Sequence, residues 1–298
     1  MVSWARVEYS WPDRRPKELA NLTIMPIAAK TGLINGERYI KEIIYNRGDY
    51  RYLPMLYNSA VSRELIEKLK SKTGRVFNAI SPDIYSGYAF AYLSKKYLSV
   101  GYPLTINGVS SASNGAAHTN SDEKIKADFR NLHTVSEIQW PRNLPDFYTS
   151  YIGIIEPFIQ LSTFLPDLKK YISLKGVYKI IIDSLESVDE KDLETKLQKI
   201  TESSRHDVNL FKWVKSYINK TKPVHKPVVI IKLNERIGFD GSHLILDASD
   251  FGVKNVDDMS IFINKMFGNI KDQIFLKPVR RNLVARLKRA AGIIIKGQ

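Results

Sequence analysis

The sequence predicts an α/β fold: an incomplete mixed sheet with flanking helices, then a mainly helical C-terminal region that contains a small β-hairpin. Three observations carry this. Runs of apolar and β-branched residues at 2–11, 76–80 and 103–109 have strand length and composition, and helical spacing lies between them. From about residue 121 the strand-like runs give way to successive helix-patterned segments. Near the C-terminus, 227–233 (PVVIIKL) and 242–247 (SHLILD) flank Gly238-Phe239-Asp240-Gly241, whose turn chemistry joins them as a hairpin.

Taken in order, residues 2–11 read as a strand rich in aromatic and β-branched side chains, and Pro12 and Pro16 then break regular structure. Residues 17–24 fit a short helix or an irregular segment, 32–36 has turn composition, and 40–45 fits a strand or the start of a helix. A helix follows, with Ser62 as cap, Leu65, Ile66 and Leu69 on one face, and Gly74 as terminator. The strand predicted at 76–80 stops at Ser81-Pro82-Asp83, where Pro82 has no N–H to donate and Asp83 can accept from the first turn of a helix. That helix carries Ile84, Tyr88, Ala91, Tyr92 and Leu93 near helical spacing, with Lys95 and Lys96 at its end. The strand at 103–109 then opens into a small-residue loop, 110–120. Such a unit holds one acid at a strand's carboxyl end, where open α/β sheets place their ligands.

Residues 140–145 read as a turn or linker. Helices are predicted over 152–164 (ended by Pro166), 168–184, 191–201, 209–219 and 255–267, with Ser187 and Glu190 spaced as a capping box. The expected organisation is residues 1–135 as one region, 136–276 as a mainly helical region, and 277–298 as a basic amphipathic tail.

Composition narrows the function classes. The chain of 298 residues has 44% hydrophobic and 26% charged residues, in the globular range, and no run of eighteen apolar residues. The start, MVSWARVEYSWPDRR, lacks the apolar core of a signal peptide. With no cysteine, thiolate-ligated metal, disulfides and a cysteine nucleophile are excluded. The formal net charge of +14 invites an anionic partner: nucleic acid, an anionic membrane surface, a nucleoside diphosphate or an acidic glycan. In the tail, Val279, Leu283, Val284 and Leu287 form an apolar stripe flanked by Arg280, Arg281, Arg286, Lys288 and Arg289. This suits an interfacial helix on anionic lipid, a partner's groove or an acidic patch of the chain itself. No helix-turn-helix, zinc finger or aromatic RNA-binding signature accompanies the charge, which argues against nucleic acid.

The candidate catalytic residue is Asp83. A carboxylate serves as general base when an acceptor hydroxyl lies within hydrogen-bond reach; the alternative is a plain helix cap. Tyr57 and Asn58 offer an aromatic face and an amide suited to hydroxyl-rich ligands, with a packed tyrosine and a capping asparagine as the alternative. Tyr85, on the turn after Asp83, joins them as a candidate contact. In the loop region, Asn107, Ser110, Ser113 and Asn114 supply compact donors and acceptors.

The phrase SPDIYSGYAFAYL, preceded by LPMLYNSAVSRELIEKL and followed by PLTINGVSSASNGAAH, resembles the second half of a family-2-type glycosyltransferase of GT-A fold. The opening YSWPDRRPKELAN resembles the segment just beyond that family's metal-binding acids. The likeness covers residues 3–120 and is looser beyond. It implies that Asp83 deprotonates the acceptor hydroxyl; the family more often writes this site Glu-Asp, and here it is Pro82-Asp83, as in a subgroup. It also implies that His118, after the catalytic helix, completes the shell of a Mg2+ or Mn2+ ion. The partners implied are a nucleotide-sugar donor and a glycan or lipid-linked acceptor, with a cytoplasmic location, peripheral at the inner face of the membrane.

Against the family pattern, no Asp-x-Asp pair, phosphate-binding glycine loop or Gln-x-x-Arg-Trp element occurs in the chain. The expectation is therefore an inverting glycosyltransferase, or its acceptor-side portion lacking the nucleotide-binding half and weakly active by itself. The alternative is a non-catalytic basic protein that binds nucleic acid or an anionic membrane surface.

Overall fold

A computed structural model describes residues 1–11, 21–24, 31–110, 113, 139–185, 189–224, 238–239 and 244–268. The expected boundaries near 135 and 276 lie outside the described residues, as do Asn114, His118, Ser187, the strand at 227–233 and the tail at 277–298. The chain folds as two compact units that interleave along the sequence. One comprises Met1, Ile34–Tyr97 and Asn120–Ile230; the other comprises Val2–Leu33, Leu98–Thr119 and Ile231–Gln298. Each has its own buried core.

The second unit is built on a mixed sheet. Its strands are β1 (Val2–Ser10), β2 (Asn21–Ile24), β3 (Gly32–Asn35), β5 (Lys96–Val109), β6 (Gly238–Phe239) and β7 (Leu244–Asp247), in the order β3-β5-β1-β2-β7-β6; the two-residue strand β4 (Ser59–Ala60) lies within the first unit's span. β1 runs parallel to β5, with Val7 opposite Ile106, and antiparallel to β2, with Tyr9 opposite Leu22. Being central, β1 is buried on both faces, so its apolar residues do not alternate cleanly.

Several expectations are corrected here. Residues 21–24 are a strand, because pairing to β1 and β7 supplies backbone partners that local propensity cannot show. Residues 32–35 are a strand rather than a turn. Gly238-Phe239, expected in the turn, pairs with Leu244–Ile245, and β7 continues onto β2, so the C-terminal hairpin extends the main sheet. One helix, α8 (Val256–Phe267), is capped by Asn255 and buries Met259, Ile263 and Phe267 in a core shared with Val7, Tyr9, Val100 and Tyr102.

The first unit is helical: α1 (Gly36–Ile44), α2 (Arg63–Thr73), α3 (Pro82–Ser94), α4 (Ser150–Phe164), α5 (Leu174–Asp183), α6 (Glu190–Ser203) and α7 (Val208–Thr221). The residues undecided between strand and helix, 40–45, lie in α1, which buries Ile40, Ile43 and Ile44. α2 has both expected ends: the Ser62 hydroxyl accepts from Leu65, and Gly74 closes the helix at φ +75°, a conformation costly for other residues. α6 is capped by Asp189, whose side chain accepts from the Asp192 N–H. α3 and α4 form the centre of this core, where Tyr88 and Phe158 meet edge to face at 5.1 Å. α1 approaches α3 so closely that a Cβ on Gly36 would lie 1.9 Å from the Ala91 carbonyl oxygen.

Residues 76–80 are irregular rather than a strand. Ala79 and Ile80 are buried in the helical unit, Ala79 turns the chain at φ +75°, and the Ile80 N–H donates to Glu156 of α4 at 3.0 Å. An N–H committed to a side chain cannot join a ladder, so the apolar run becomes a buried turn. Among the described residues no helix is long and apolar enough to cross a membrane.

Candidate functional site

Asp83 is the second residue of α3. Ser81 stands at the cap position without a side-chain capping bond, and Pro82 takes the first helical position, where its missing N–H costs nothing. The carboxylate of Asp83 accepts the Tyr57 hydroxyl at 3.0 Å, and the same hydroxyl lies 3.1 Å from the Met55 sulfur. The Ser86 hydroxyl donates to the backbone carbonyl of Asp83 at 2.8 Å. Asp83 is half-buried and Tyr57 is 40% exposed, so both can be reached from solvent. The partial positive charge at the start of α3 favours an anion there.

Around this pair stands a group that the sequence reading passed over. The Tyr148 hydroxyl packs against Gly153, where an added Cβ would meet it at 2.0 Å. Burial, with the negative charges of Asp83 and Glu156, holds Tyr148 well above the usual phenol range, so it stays a donor. Glu156 is 1% exposed. Burial pushes its carboxyl up to about 7, against the hydrogen bond from the Ile80 N–H, which favours the charged form. The clue to Glu156 was a lone acid inside the apolar run IGIIEPFIQL. Tyr148 left no such trace.

The predicted contacts divide. Tyr57 meets Asp83. Asn58 is fully buried, its amide nitrogen donating to Leu53 O at 3.3 Å and Arg51 O at 3.4 Å. Tyr85 is fully buried in the helical core. Asn107 lies on β5 opposite Glu8, and the Ser110 N–H donates to the Ser113 hydroxyl at 2.9 Å, closing a local turn in the sheet unit. The structure thus brings Tyr57 to Asp83 and gives Asn58 and Tyr85 packing roles.

Asp83 lines neither of two clefts found among the described residues. One, of about 520 Å3, is lined by Glu37, Lys41, Tyr45, Lys170 and Tyr171; the other, of about 200 Å3, lies in the sheet unit against Tyr102, Leu104, Ile106 and Ile263. Among the described residues no three acids or histidines cluster as a metal site. Asp83 is half-buried and accepts from Tyr57, whereas Glu156 is 1% exposed and accepts from Ile80, so of the two only Asp83 offers a divalent ion a solvent-reachable carboxylate. Compared with known proteins, the chain matches no family model, no curated protein and no solved structure.

Proposed function

We propose that the chain is the acceptor-binding part of an inverting glycosyltransferase, with Asp83 as general base. The observation that carries this reading is the partnership of Asp83. Its carboxylate stands at a helix start, reachable from solvent, and its side-chain partner is the hydroxyl of an exposed tyrosine. An acceptor sugar hydroxyl can replace that phenol at the same oxygen. The base then takes the acceptor proton, the acceptor oxygen bonds to the anomeric carbon of the donor sugar, and the bond to the nucleoside diphosphate breaks with both its electrons on the leaving group. The sequence resemblance supports the same assignment. The Mg2+ or Mn2+ that the reading expects would be held outside the described residues, with His118 the candidate ligand, and a nucleotide-sugar is the expected donor.

The test is a transfer assay with a panel of nucleotide-sugars and Mn2+, on the chain alone and with a nucleotide-binding partner segment supplied. Asp83→Asn should lower turnover by roughly 10²- to 10⁴-fold, the usual contribution of a positioned base. Transfer unchanged by Asp83→Asn removes the assignment.

The net charge of +14 supports a second reading, a basic surface for nucleic acid or anionic lipid. Under it, salt-sensitive binding to mixed-sequence DNA or anionic vesicles persists in Asp83→Asn, and no preparation transfers sugar.

A further inference from the structure

The larger cleft is built from one stripe of α1 and the turn that ends at Tyr171. Glu37, Lys41 and Tyr45 follow at four-residue intervals, so they share a face of the helix. Glu37 followed by Lys41 is the favoured order for an i,i+4 ion pair. That pair is not formed. The Glu37 carboxylate instead accepts the Tyr171 hydroxyl at 2.5 Å, and the Lys41 ammonium sits over the Tyr171 ring, 4.7 Å from its centre. Lys170 takes up the same ring at 5.0 Å. Tyr171 is held in place from the other side, where the Tyr45 hydroxyl donates to its carbonyl at 3.3 Å.

The consequence is electrostatic. The Tyr171 hydroxyl holds the Glu37 carboxylate out of an ion pair with Lys41, orienting that charge in the cleft wall without cancelling it. Among the described residues no carboxylate oxygen lies within ion-pair distance of Lys41 or Lys170. Asp167 is near enough to act on Tyr171, but it makes no such pair with either lysine. Arg47 rests over the Tyr45 ring at 5.5 Å. Burial first, then the Glu37 bond, pushes Tyr171 up to about 12, so its hydroxyl remains a donor at neutral pH. Lysine is a compact point charge suited to phosphate, and each of the two ammoniums lies within cation–π range of the Tyr171 ring. A volume of about 520 Å3 exceeds a bare phosphate and suits a small organic body.

We infer that this cleft binds a phosphate ester carried on a sugar-sized molecule, with Lys41 and Lys170 on the phosphate and Tyr45 against the attached body. The site is separate from Asp83. Glu37, Lys170 and Tyr171 all act on Tyr92, which lies at the opposite end of α3 from Asp83, about 14 Å along a helix rising 1.5 Å per residue. The inference does not rest on the transferase reading.

The test is calorimetric titration of the full chain with glucose 1-phosphate, glucose and inorganic phosphate, and co-sedimentation with phosphatidylinositol vesicles. Glucose 1-phosphate should bind one site saturably, inorganic phosphate more weakly, and glucose not at all. Lys41→Ala/Lys170→Ala should weaken binding at least tenfold, as expected when charged hydrogen bonds are lost, while the exposed control pair Lys68→Ala/Lys72→Ala changes it less than about twofold. Tyr171→Phe changes no charge, yet it frees Glu37 to fall onto Lys41 and should weaken binding severalfold; adding Glu37→Gln should restore it. If Lys41- and Lys170-dependent binding is seen with vesicles alone, the phosphate is lipid-borne and the site stands. If neither probe binds through these lysines, if the control pair weakens binding equally, or if Tyr171→Phe has no effect in a folded protein, the inference fails.

Discussion

The Glu156 carboxylate accepts the backbone N–H of Ile80 at 3.0 Å, across 76 residues of chain. Ile80 lies three residues before Asp83, so this bond fixes the path by which the chain enters α3. It also explains why an apolar run with strand composition is not a strand. With Ala79 at φ +75° and the Ile80 N–H committed to α4, the segment turns beneath the helix start and delivers Asp83 to a half-exposed position.

Glu156 makes stability depend on pH in a stated direction. Its carboxyl is raised from 4.5 to about 7 on folding. The native state therefore binds this proton more tightly than the unfolded chain. The resulting stabilisation is full below about pH 4.5, falls as pH rises through about 7, and is absent above that. Glu156→Gln keeps an acceptor for Ile80 and removes the buried charge. It should be more stable than the parent at pH 8 by up to roughly 3 kcal/mol, and within about 1 kcal/mol of it at pH 5. Urea denaturation of both proteins at the two pH values reads this directly; a constant difference across pH would show that the carboxyl is not desolvated.

Gly36 marks the closest approach of α1 to α3. Gly36→Ala places a Cβ 1.9 Å from the Ala91 carbonyl, a backbone atom that cannot swing aside. A loss of about 1–3 kcal/mol or more is expected. Gly32→Ala, where an added Cβ meets nothing within 4 Å, serves as control and should shift the thermal midpoint little.

Asn58→Ala should act on stability. Its amide is buried and bonded to the carbonyls of Leu53 and Arg51, so truncation leaves acceptors unpaired at a cost of about 1–3 kcal/mol. A midpoint that does not move in denaturation would show that these two bonds contribute no net stability.

Asp83→Asn and Tyr57→Phe separate chemistry from packing. Their hydrogen bond joins two solvent-reachable side chains, so either change should alter stability by less than about 1 kcal/mol. Under the transferase reading, Asp83→Asn lowers turnover by roughly 10²- to 10⁴-fold whereas Tyr57→Phe lowers it less than about tenfold, because the acceptor displaces the phenol. A large loss of stability in both would make the pair a structural strut.

Much of the local structure was legible. α2 lies between the cap and terminator read at Ser62 and Gly74; α4 ends at Phe164, ahead of Pro166; α8 begins after Asn255. These are signals made within one or two helical turns. What was not legible depended on partners far away in the chain. Residues 21–24 and 32–35 became strands through pairing, and 76–80 did not, because Glu156 took an N–H that the ladder required. At the candidate site, Asp83 drew attention from its place at a helix start, but Glu156 on α4 and Tyr148 just before that helix came to it only through tertiary packing.

The sequence by itself determined the class of the fold, most of its helices and the acid worth following, since capping, turn chemistry and periodicity act between near neighbours. Tertiary structure decided how that acid is presented, which second carboxyl is sealed from water, and that Tyr171 would part Glu37 from Lys41. Those outcomes rest on burial and on hydrogen bonds between distant segments, whose energies are set only when the chain has folded back on itself.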